Sequence, residues 1–256
     1  MAVHADRVAL ALADAWELLF TGLADGWCRR EGGVVAAVSH VPVAMLNGVW
    51  PERVDLDAAL VDDLLDQVEA YDVPYCLQLR TRADPALTAR ATARGMSLHE
   101  PTPLMLLEDP SGLRAARNVD ALVVRELPPE EAGVHARMLA LGFGAPEAIF
   151  AQLMTPSVLA LPGVSCYVGE VGGEPVTTSL GVTVGSSTGV FNVATLPEHC
   201  GHGYGAALTA RAAGDGLTEG AEWAWLQSSA AGYGVYQKLG FRTVESWPCW
   251  VKETEP

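Results

Sequence analysis

Residues 191–208 read FNVATLPEHCGHGYGAAL, which is the most informative pattern in the chain. Its first part, Phe191–Leu196, reads as a strand, and the part after Gly205 reads as a helix. Gly201 and Gly203 lie between the two. This order leaves backbone N–H groups free at a helix N-terminus, where the helix dipole and the missing Cβ atoms let a phosphate approach the main chain. We therefore predict an anion-binding turn here, with a merely tight strand-to-helix turn as the alternative.

The glycine spacing narrows the class of turn. It is not a Walker loop, because no Gly-Lys-Ser/Thr follows. Its G-x-G-x-G pattern also differs from the G-x-G-x-x-G fingerprint of dinucleotide-binding folds. Support for a ligand site has to come from the surrounding chain.

The elements around the turn form a mixed α/β pattern. Before it, the sequence predicts a strand at Leu122–Val124, helices near 130–141 and 146–154, and antiparallel strands at Cys166–Val171, Pro175–Val184 and Val190–Leu196. After it, the sequence predicts a strand at Trp223–Gln227, a helix at Ser229–Leu239 and a last pair of strands near 241–246 and 249–253. We expect a mixed, mostly antiparallel sheet flanked by helices.

Three marks occur in order in this half of the chain: V-A-T-L-P-E at 193–198, the glycine turn, and Y-x-K-L-G-F at 236–241. Together they resemble the GNAT superfamily of acetyl-CoA-dependent N-acetyltransferases, and the likeness covers about residues 120–256. The resemblance implies an acyltransferase that uses acetyl-CoA as co-substrate and no metal. Its acetyl group would pass directly to a primary amine of a small molecule or peptide.

The resemblance also implies roles for individual residues. The pyrophosphate of CoA would bind the loop amides, which here belong to Cys200, Gly201, His202, Gly203, Tyr204 and Gly205. Main-chain N–H groups of Val193 and Thr195, which flank Ala194, would hold the thioester carbonyl where negative charge develops. Tyr236 would be the general acid that protonates the departing CoA thiolate. Packing between helix and sheet is the alternative for Tyr236.

Two positions depart from the family pattern. Cys200 stands where the family has Arg or Gln, and Ser229 stands where an Asn is frequent, seven residues before Tyr236. Backbone amides can still bind phosphate, and Ser229 can still form a hydrogen bond. These departures keep open a catalytically silent acyl-CoA-binding regulatory protein, and beyond it a structural or partner-binding module.

The sequence does not single out a general base. Glu170 and Glu198 are candidates beside a water chain, and Glu126 and His135 are weaker ones. His199 and His202 flank the turn, but no third ligand for a metal is near them, so we interpret them as solvated loop histidines. A Cys200 nucleophile relayed to either histidine is a further alternative.

Residues 1–115 look like a degenerate copy of the same fold, and residues 116–256 like the catalytic domain. The first half predicts a helix from Asp6 to Gly26, strands at Val34–Val38 and Val43–Trp50, a helix at Leu56–Val68, a strand at Tyr75–Leu79, a helix at Pro85–Arg94, a strand at Leu104–Leu107 and a linker over 108–120. At the place of the phosphate turn, Pro51–Asp57 has acidic residues and no glycine, so phosphate would be repelled. We expect a scaffold role, with an unrelated α/β domain as the alternative.

Composition limits the partners. The 256 residues carry 16 Lys and Arg against 31 Asp and Glu, a formal net charge of −15, which argues against nucleic acid or an anionic membrane as partner. Such charge suits a cationic acceptor, for example a polyamine, an aminoglycoside or a lysine-bearing peptide. Polar residues and Pro42 interrupt the longest apolar stretch, Val34–Leu46, and the N-terminus lacks an export signal, so we expect a cytoplasmic protein. Its five cysteines are expected to be reduced, mostly buried thiols, and the sequence specifies no oligomeric state.

Overall fold

The computed structural model describes residues 2–116 and 119–253, and the chain forms two compact units. The first unit contains the chain up to Leu104 and again from Val244 onward. The second unit contains Met105–Thr243. The division differs from 1–115 and 116–256 chiefly at the C-terminus, where the last strand belongs to the first unit.

The helices and strands are numbered in chain order. The part up to the division at Leu104 contains α1 (Ala2–Thr21), β1 (Trp27–Glu31), β2 (Val34–Val38), β3 (Asn47–Pro51), α2 (Ala58–Glu69), β4 (Tyr75–Gln78), α3 (Pro85–Ala93) and most of β5 (Ser97–Leu107). There follow α4 (Leu113–Ala116), β6 (Leu122–Leu127), α5 (Ala132–Phe143), α6 (Glu147–Leu153), α7 (Pro156–Leu159), β7 (Val164–Val171), β8 (Glu174–Val184), β9 (Ser187–Thr195), α8 (Tyr204–Thr218), β10 (Trp223–Gln227), α9 (Ala230–Lys238) and β11 (Arg242–Lys252).

The first unit has a mixed sheet in the order β1-β2-β3-β4-β11. Strands β1, β2 and β3 pair antiparallel, β3 and β4 pair parallel, and β11 pairs antiparallel with β4. Helix α2 has buried apolar residues at three- and four-residue spacing, Val61, Leu64, Leu65 and Val68, and they share a core with β2 and β4. Asp57 caps this helix by accepting a hydrogen bond from the Ala59 amide.

The second unit has a mixed sheet in the order β6-β7-β8-β9-β10. Strands β6 to β9 are antiparallel neighbours, and β10 is parallel to β9. The β7–β8 hairpin turns at Gly172 and Gly173, both with positive φ, as the turn residues predict. Helix α8 packs its buried side, including Leu208 and Ala212, into the core of this unit. The α/β class with mixed, mostly antiparallel sheets is confirmed.

Several predicted boundaries are wrong. Strand β1 was not predicted, because its residues WCRRE are only half-buried and form no apolar run. The strand predicted at Leu104–Leu107 begins at Ser97. The prediction missed its first residues because they are exposed and mostly polar. The last two strands are one strand, β11, which continues through Pro248 because the carbonyl of that residue accepts a hydrogen bond from the Leu79 amide.

Three other segments also differ from the prediction. In place of the strand start expected at Val43, a single helical turn at Ala44–Leu46 precedes β3. The expected linker 108–120 contains a turn at Pro110–Gly112 and the short helix α4, and residues 117–118 lie outside the described part. Within the described ranges, none of the helices is both long enough and apolar enough to cross a membrane.

A buried guanidinium joins separate elements of the first unit. Arg80 follows β4 and is almost fully buried; its Nε donates to Glu245 of β11 and one terminal nitrogen donates to Asp6 of α1 at 2.8 Å. Its other terminal nitrogen donates to the Glu52 carbonyl oxygen at 3.0 Å, just after β3. Glu245 also accepts from the Trp247 indole N–H at 3.0 Å. Since a buried charge without partners is costly, this network holds the ends of β3, β4 and β11 together.

We expect Arg80→Ala to lower the free energy of unfolding by about 3–5 kcal/mol, because the substitution leaves the Glu245 carboxylate buried without its charge partner. Urea denaturation measures the loss. The control is Arg242→Ala, which removes an ion pair to Glu108 whose side chains are 44% and 41% exposed, and which should cost under about 1 kcal/mol. Equal losses in the two variants would contradict a supporting role for Arg80.

Candidate functional site

The second unit has a cavity where two parallel strands separate. Pairing between β9 and β10 covers Ser187–Gly189 against Trp223–Trp225. Beyond this pairing, β9 continues to Thr195 and β10 to Gln227. A cavity of about 990 Å³ lies beyond the paired part, lined by the end of β9, the start of α8 and one side of α9. The strand pairing thus leaves space for a ligand within a single unit.

The cavity brings together the residues that the sequence singled out. Its lining includes Val193, Ala194, Thr195, Cys200, Gly201, Gly203, Tyr204, Gly205, Ser229 and Tyr236. His202 does not line it; its ring stacks on Tyr204 with centroids 5.4 Å apart. Residues distant in sequence, such as Val193 and Tyr236, therefore share one concave surface.

The glycine turn presents open backbone to this cavity. Gly201 and Gly203 both have φ of +84°, a conformation that favours glycine. A Cβ on Gly201 would meet no heavy atom within 4 Å, and one on Gly203 would meet only Val119, at 3.8 Å. The first hydrogen bond of α8 runs from the Ala207 amide to the Gly203 carbonyl, so the amides before Ala207 have no acceptor within the helix. The N-terminus of α8 therefore leaves backbone amides without intrahelical acceptors beside the cavity.

Gly205 has a different role from the other two glycines. A Cβ there would lie 3.3 Å from Thr195 Oγ1 and 3.7 Å from Val193 Cγ1. Thr195 Oγ1 is itself hydrogen-bonded to Thr177 Oγ1 at 2.9 Å. The missing side chain lets the first turn of α8 lie against the end of β9, which keeps the loop amides close to the strand.

A bulge interrupts β9 beside the cavity. Thr178 pairs with Ala194 and Leu180 with Phe191, so two residues of β9, Asn192 and Val193, lie opposite one residue of β8. Asn192 has φ of +54°, in the left-handed region that Asn tolerates better than most residues. The bulge takes this part of the backbone out of the regular ladder with β8. Val193 lines the cavity, so the bulge places irregular backbone at the cavity wall.

Tyr236 lies on the last turn of α9, against the cavity. Its ring lies over Gly232, where a Cβ would be 2.7 Å from Tyr236 Cε2, and it meets Phe241 edge-on at 6.2 Å. Burial raises the pKa of the Tyr236 hydroxyl to about 12. The phenol therefore stays protonated across the physiological range and can act as a hydrogen-bond donor.

Ser229 and Cys200 have local backbone partners. Ser229 is the N-cap of α9, and its Oγ accepts a hydrogen bond from the Gly232 amide at 3.2 Å. The exposed Cys200 thiol donates to the Leu196 carbonyl at 3.5 Å. His202 Nδ1 lies 3.1 Å from the Cys200 carbonyl oxygen, so its partner is the backbone rather than the thiol. These contacts give no support to a Cys200 nucleophile relayed to His202.

The candidate bases lie away from the cavity lining. Glu170 is paired with Arg125 at 2.9 Å, and Arg125 also holds Glu131. Glu198 and Glu126 are exposed and do not line the cavity.

His135 is buried, with Nδ1 2.6 Å from Thr178 Oγ1. Since that hydroxyl donates to the Tyr167 carbonyl, it accepts from Nδ1–H, and burial lowers the pKa of His135 to about 3. His135 does not line the cavity, so its position gives no support to a role as general base. Within the described ranges, His, Cys, Asp and Glu side chains form no group of three or more suited to a metal.

The structure adds lining residues that the sequence analysis did not single out. Phe143 ends α5, and Val235 and Lys238 lie on α9. A Cβ on Gly142 would lie 2.9 Å from Ala194 Cβ, so this glycine lets α5 approach the end of β9. The signal in the sequence is the pair Gly142 and Gly144, which falls between the helices predicted near 130–141 and 146–154. Lys238 belongs to the Y-x-K-L-G-F motif but was given no role.

Comparisons with known proteins agree with this geometry. Residues 162–243 match the family model described as an acetyltransferase (GNAT) domain. A GCN5-related N-acetyltransferase from Kribbella flavida is similar in structure, with a TM-score of 0.72 at 20% identity over 97% of this chain and 95% of its own. A GCN5-related N-acetyltransferase from Sphaerobacter thermophilus has a TM-score of 0.60 at 13% identity over 90% of this chain and 76% of its own.

A third similar structure is a tandem GNAT protein from the clavulanic acid biosynthesis pathway, with a TM-score of 0.58 at 18% identity over 90% of this chain and 83% of its own. Among curated proteins, none matches this sequence. At these identities the similar structures support only the fold. The family match covers residues of the second unit. The chain therefore has the fold of the GNAT structures, and residues 162–243 of its second unit match an acetyltransferase (GNAT) domain.

Proposed function

We propose that this protein transfers the acetyl group of acetyl-CoA directly to a primary amine of a small molecule or peptide. One observation carries the proposal: the end of β9, the glycine turn and Tyr236 line a single cavity between separating strands. Acyl transfer from a thioester needs three groups. These are a turn that can bind the phosphates, a strand end with free backbone amides and a protonated phenol near the leaving group.

The glycine turn fits the phosphate part of the co-substrate. The amides of residues 201–205 would hold the pyrophosphate, because they lie at the N-terminus of α8 and their glycines leave the approach open. The Cys200 amide, expected from the sequence to join them, donates instead to the Pro197 carbonyl oxygen at 3.2 Å. Among the described lining residues, Lys238 is the one lysine, and its positive charge would attract the phosphates of the co-substrate. The cavity volume of about 990 Å³ is at the upper end of the range for small-molecule sites, which suits a large co-substrate.

The strand end fits the reacting part. Acetyl-CoA supplies an activated acyl group and a leaving thiolate. The amides of Val193 and Thr195 would bind the thioester oxygen and stabilise the negative charge that grows there, because both residues line the cavity and Val193 lies in the bulge of β9.

Tyr236 would assist departure of the thiolate. Its pKa of about 12 lies about 3.5 units above the value of about 8.5 for a free thiol, so complete proton transfer would be uphill by about 5 kcal/mol. Its main contribution is therefore a hydrogen bond to sulfur as the C–S bond lengthens. We expect the low end of the 10²–10⁴-fold range for general acids.

Water is the proposed acceptor of the amine proton. The carboxylates considered from sequence, Glu170, Glu198 and Glu126, do not line the cavity, and Glu170 is held by Arg125. The first unit would act as a scaffold. Where the second unit has its glycine turn, the first has Pro51–Asp57, and Arg80 binds the Glu52 carbonyl at this place.

The alternative is a catalytically silent acyl-CoA-binding regulatory protein. Two observations favour it: Ser229 caps α9 with its side chain, and Cys200 replaces the Arg or Gln of the family pattern. The two functions share the binding site and differ in turnover. Calorimetric titration with acetyl-CoA tests the site, and thiol release over a panel of amines tests the transfer. Binding without thiol release for any amine would establish the silent alternative.

We expect Gly203→Val to weaken CoA binding at least tenfold, a loss of about 1.4 kcal/mol, because a β-branched residue is strained at this φ and its side chain would project into the anion site. The control is Gly173→Val, which has a similar φ of +88° and open space, but lies in the β7–β8 turn. Calorimetry compares the two folded variants. If Gly203→Val binds CoA with unchanged affinity, the glycine turn is only a tight connection between strand and helix and does not bind the phosphates.

We expect Tyr236→Phe to lower kcat by about 10²-fold while the affinity for acetyl-CoA stays within twofold, since only a hydroxyl used in the transition state is removed. Tyr233→Phe is the control, because the Tyr233 hydroxyl bonds to Thr243 Oγ1 at 3.0 Å and does not line the cavity. Single-turnover rates measured up to pH 10 should show no loss from Tyr236 ionisation. A rate for Tyr236→Phe within twofold of the parent would reduce Tyr236 to a packing residue.

A further inference from the structure

We propose that the amine acceptor is an apolar monoamine with an aliphatic or aromatic body, and that Phe143 is the residue that selects it. The inference rests on the proposed acetyl transfer and adds the acceptor class to it. It differs from the cationic acceptor that the net charge of −15 suggests.

The position of Phe143 places it beside the reacting centre. It is the last residue of α5 and lines the cavity. Its neighbour Gly142 has a Cβ position only 2.9 Å from Ala194 Cβ and 3.3 Å from the Thr195 carbonyl oxygen. The end of α5 therefore touches the stretch of β9 assigned to the thioester. A molecule that contacts Phe143 can place its amine within reach of that stretch.

Phe143 presents an aromatic surface that the fold leaves uncovered. Phe143 is 53% exposed, although its side chain is large and apolar and lies at the cavity wall. Phe150 of α6 lies beside it, with ring centroids 5.9 Å apart. Gly144, with φ of +66°, ends α5 directly after Phe143 and so fixes where the ring leaves the helix. Binding an apolar ligand here would remove this surface from water, which favours binding.

The charges of the cavity oppose a polycation. Among the described residues that line it, none is Asp or Glu, and the lining includes Lys238 and His199. Glu198, next to His199, is not part of this lining, and Glu170 is paired with Arg125. A second ammonium group on the acceptor would therefore find no carboxylate in this lining to pair with. The negative charge of the protein lies elsewhere on its surface.

The test uses the full chain with acetyl-CoA and a matched pair of acceptors, hexylamine and 1,6-diaminohexane, together with 2-phenylethylamine. We expect kcat/KM for hexylamine and 2-phenylethylamine to exceed that for the diamine by about tenfold or more. Phe143→Ala should raise the KM for 2-phenylethylamine about tenfold and leave the KM for acetyl-CoA unchanged. Phe143→Leu should retain part of the preference, which shows that apolar contact is the cause.

The matched control is Leu141→Ala. Leu141 lies on the same helix, is 48% exposed and does not line the cavity, so its loss should leave both KM values unchanged. Calorimetry of 2-phenylethylamine binding to the CoA-saturated protein gives a readout independent of turnover, and Phe143→Ala should weaken it about tenfold. Preference for the diamine, or an unchanged amine KM in folded Phe143→Ala, overturns this inference alone. Acetyl-CoA binding with no turnover of any amine overturns the proposed transfer and this inference with it.

Discussion

The candidate site depends on one limit to hydrogen bonding: parallel pairing between β9 and β10 ends after Gly189 and Trp225. Had the ladder continued, the backbone groups of Val193–Thr195 would be used within the sheet and no cavity would separate the strands. The bulge at Asn192 adds to this effect on the other side of β9, where it breaks the register with β8. Because this gap exists, the glycine turn and Tyr236 line the same cavity.

The two units use the same parallel arrangement of neighbouring strands differently. In the first unit, β3 and β4 pair at Gly48 and Val49, and the strand ends are then joined by the buried Arg80, whose partners are side chains and a carbonyl of that unit. In the second unit, the corresponding place holds glycines and a cavity. A buried ion network and a ligand site are alternative ways to satisfy the polar groups at such strand ends.

Sequence reasoning found the parts of the site that have local signals. The glycine turn, the β7–β8 hairpin and the motif around Tyr236 are each encoded by a few adjacent residues. The hairpin turns at Gly172 and Gly173, and residues of the other two segments line one cavity. It did not find Phe143, because an aromatic residue at a helix end looks the same whether it faces a core or a cavity. It also divided β11 at Pro248, since the hydrogen bond that retains this proline comes from Leu79, far away in sequence.

The return of β11 to the first unit has a consequence for biosynthesis. Residues from Val244 onward leave the ribosome after all of Met105–Thr243, yet they supply the strand that covers β4 and the carboxylate that pairs with Arg80. Until then, the nascent first unit has an open sheet edge, and Arg80 has Asp6 but lacks Glu245 as a charge partner. N-terminal domains usually fold first during synthesis, but the first unit cannot complete its fold before its last strand has been made. The second unit can complete its core while the first still waits for its last strand.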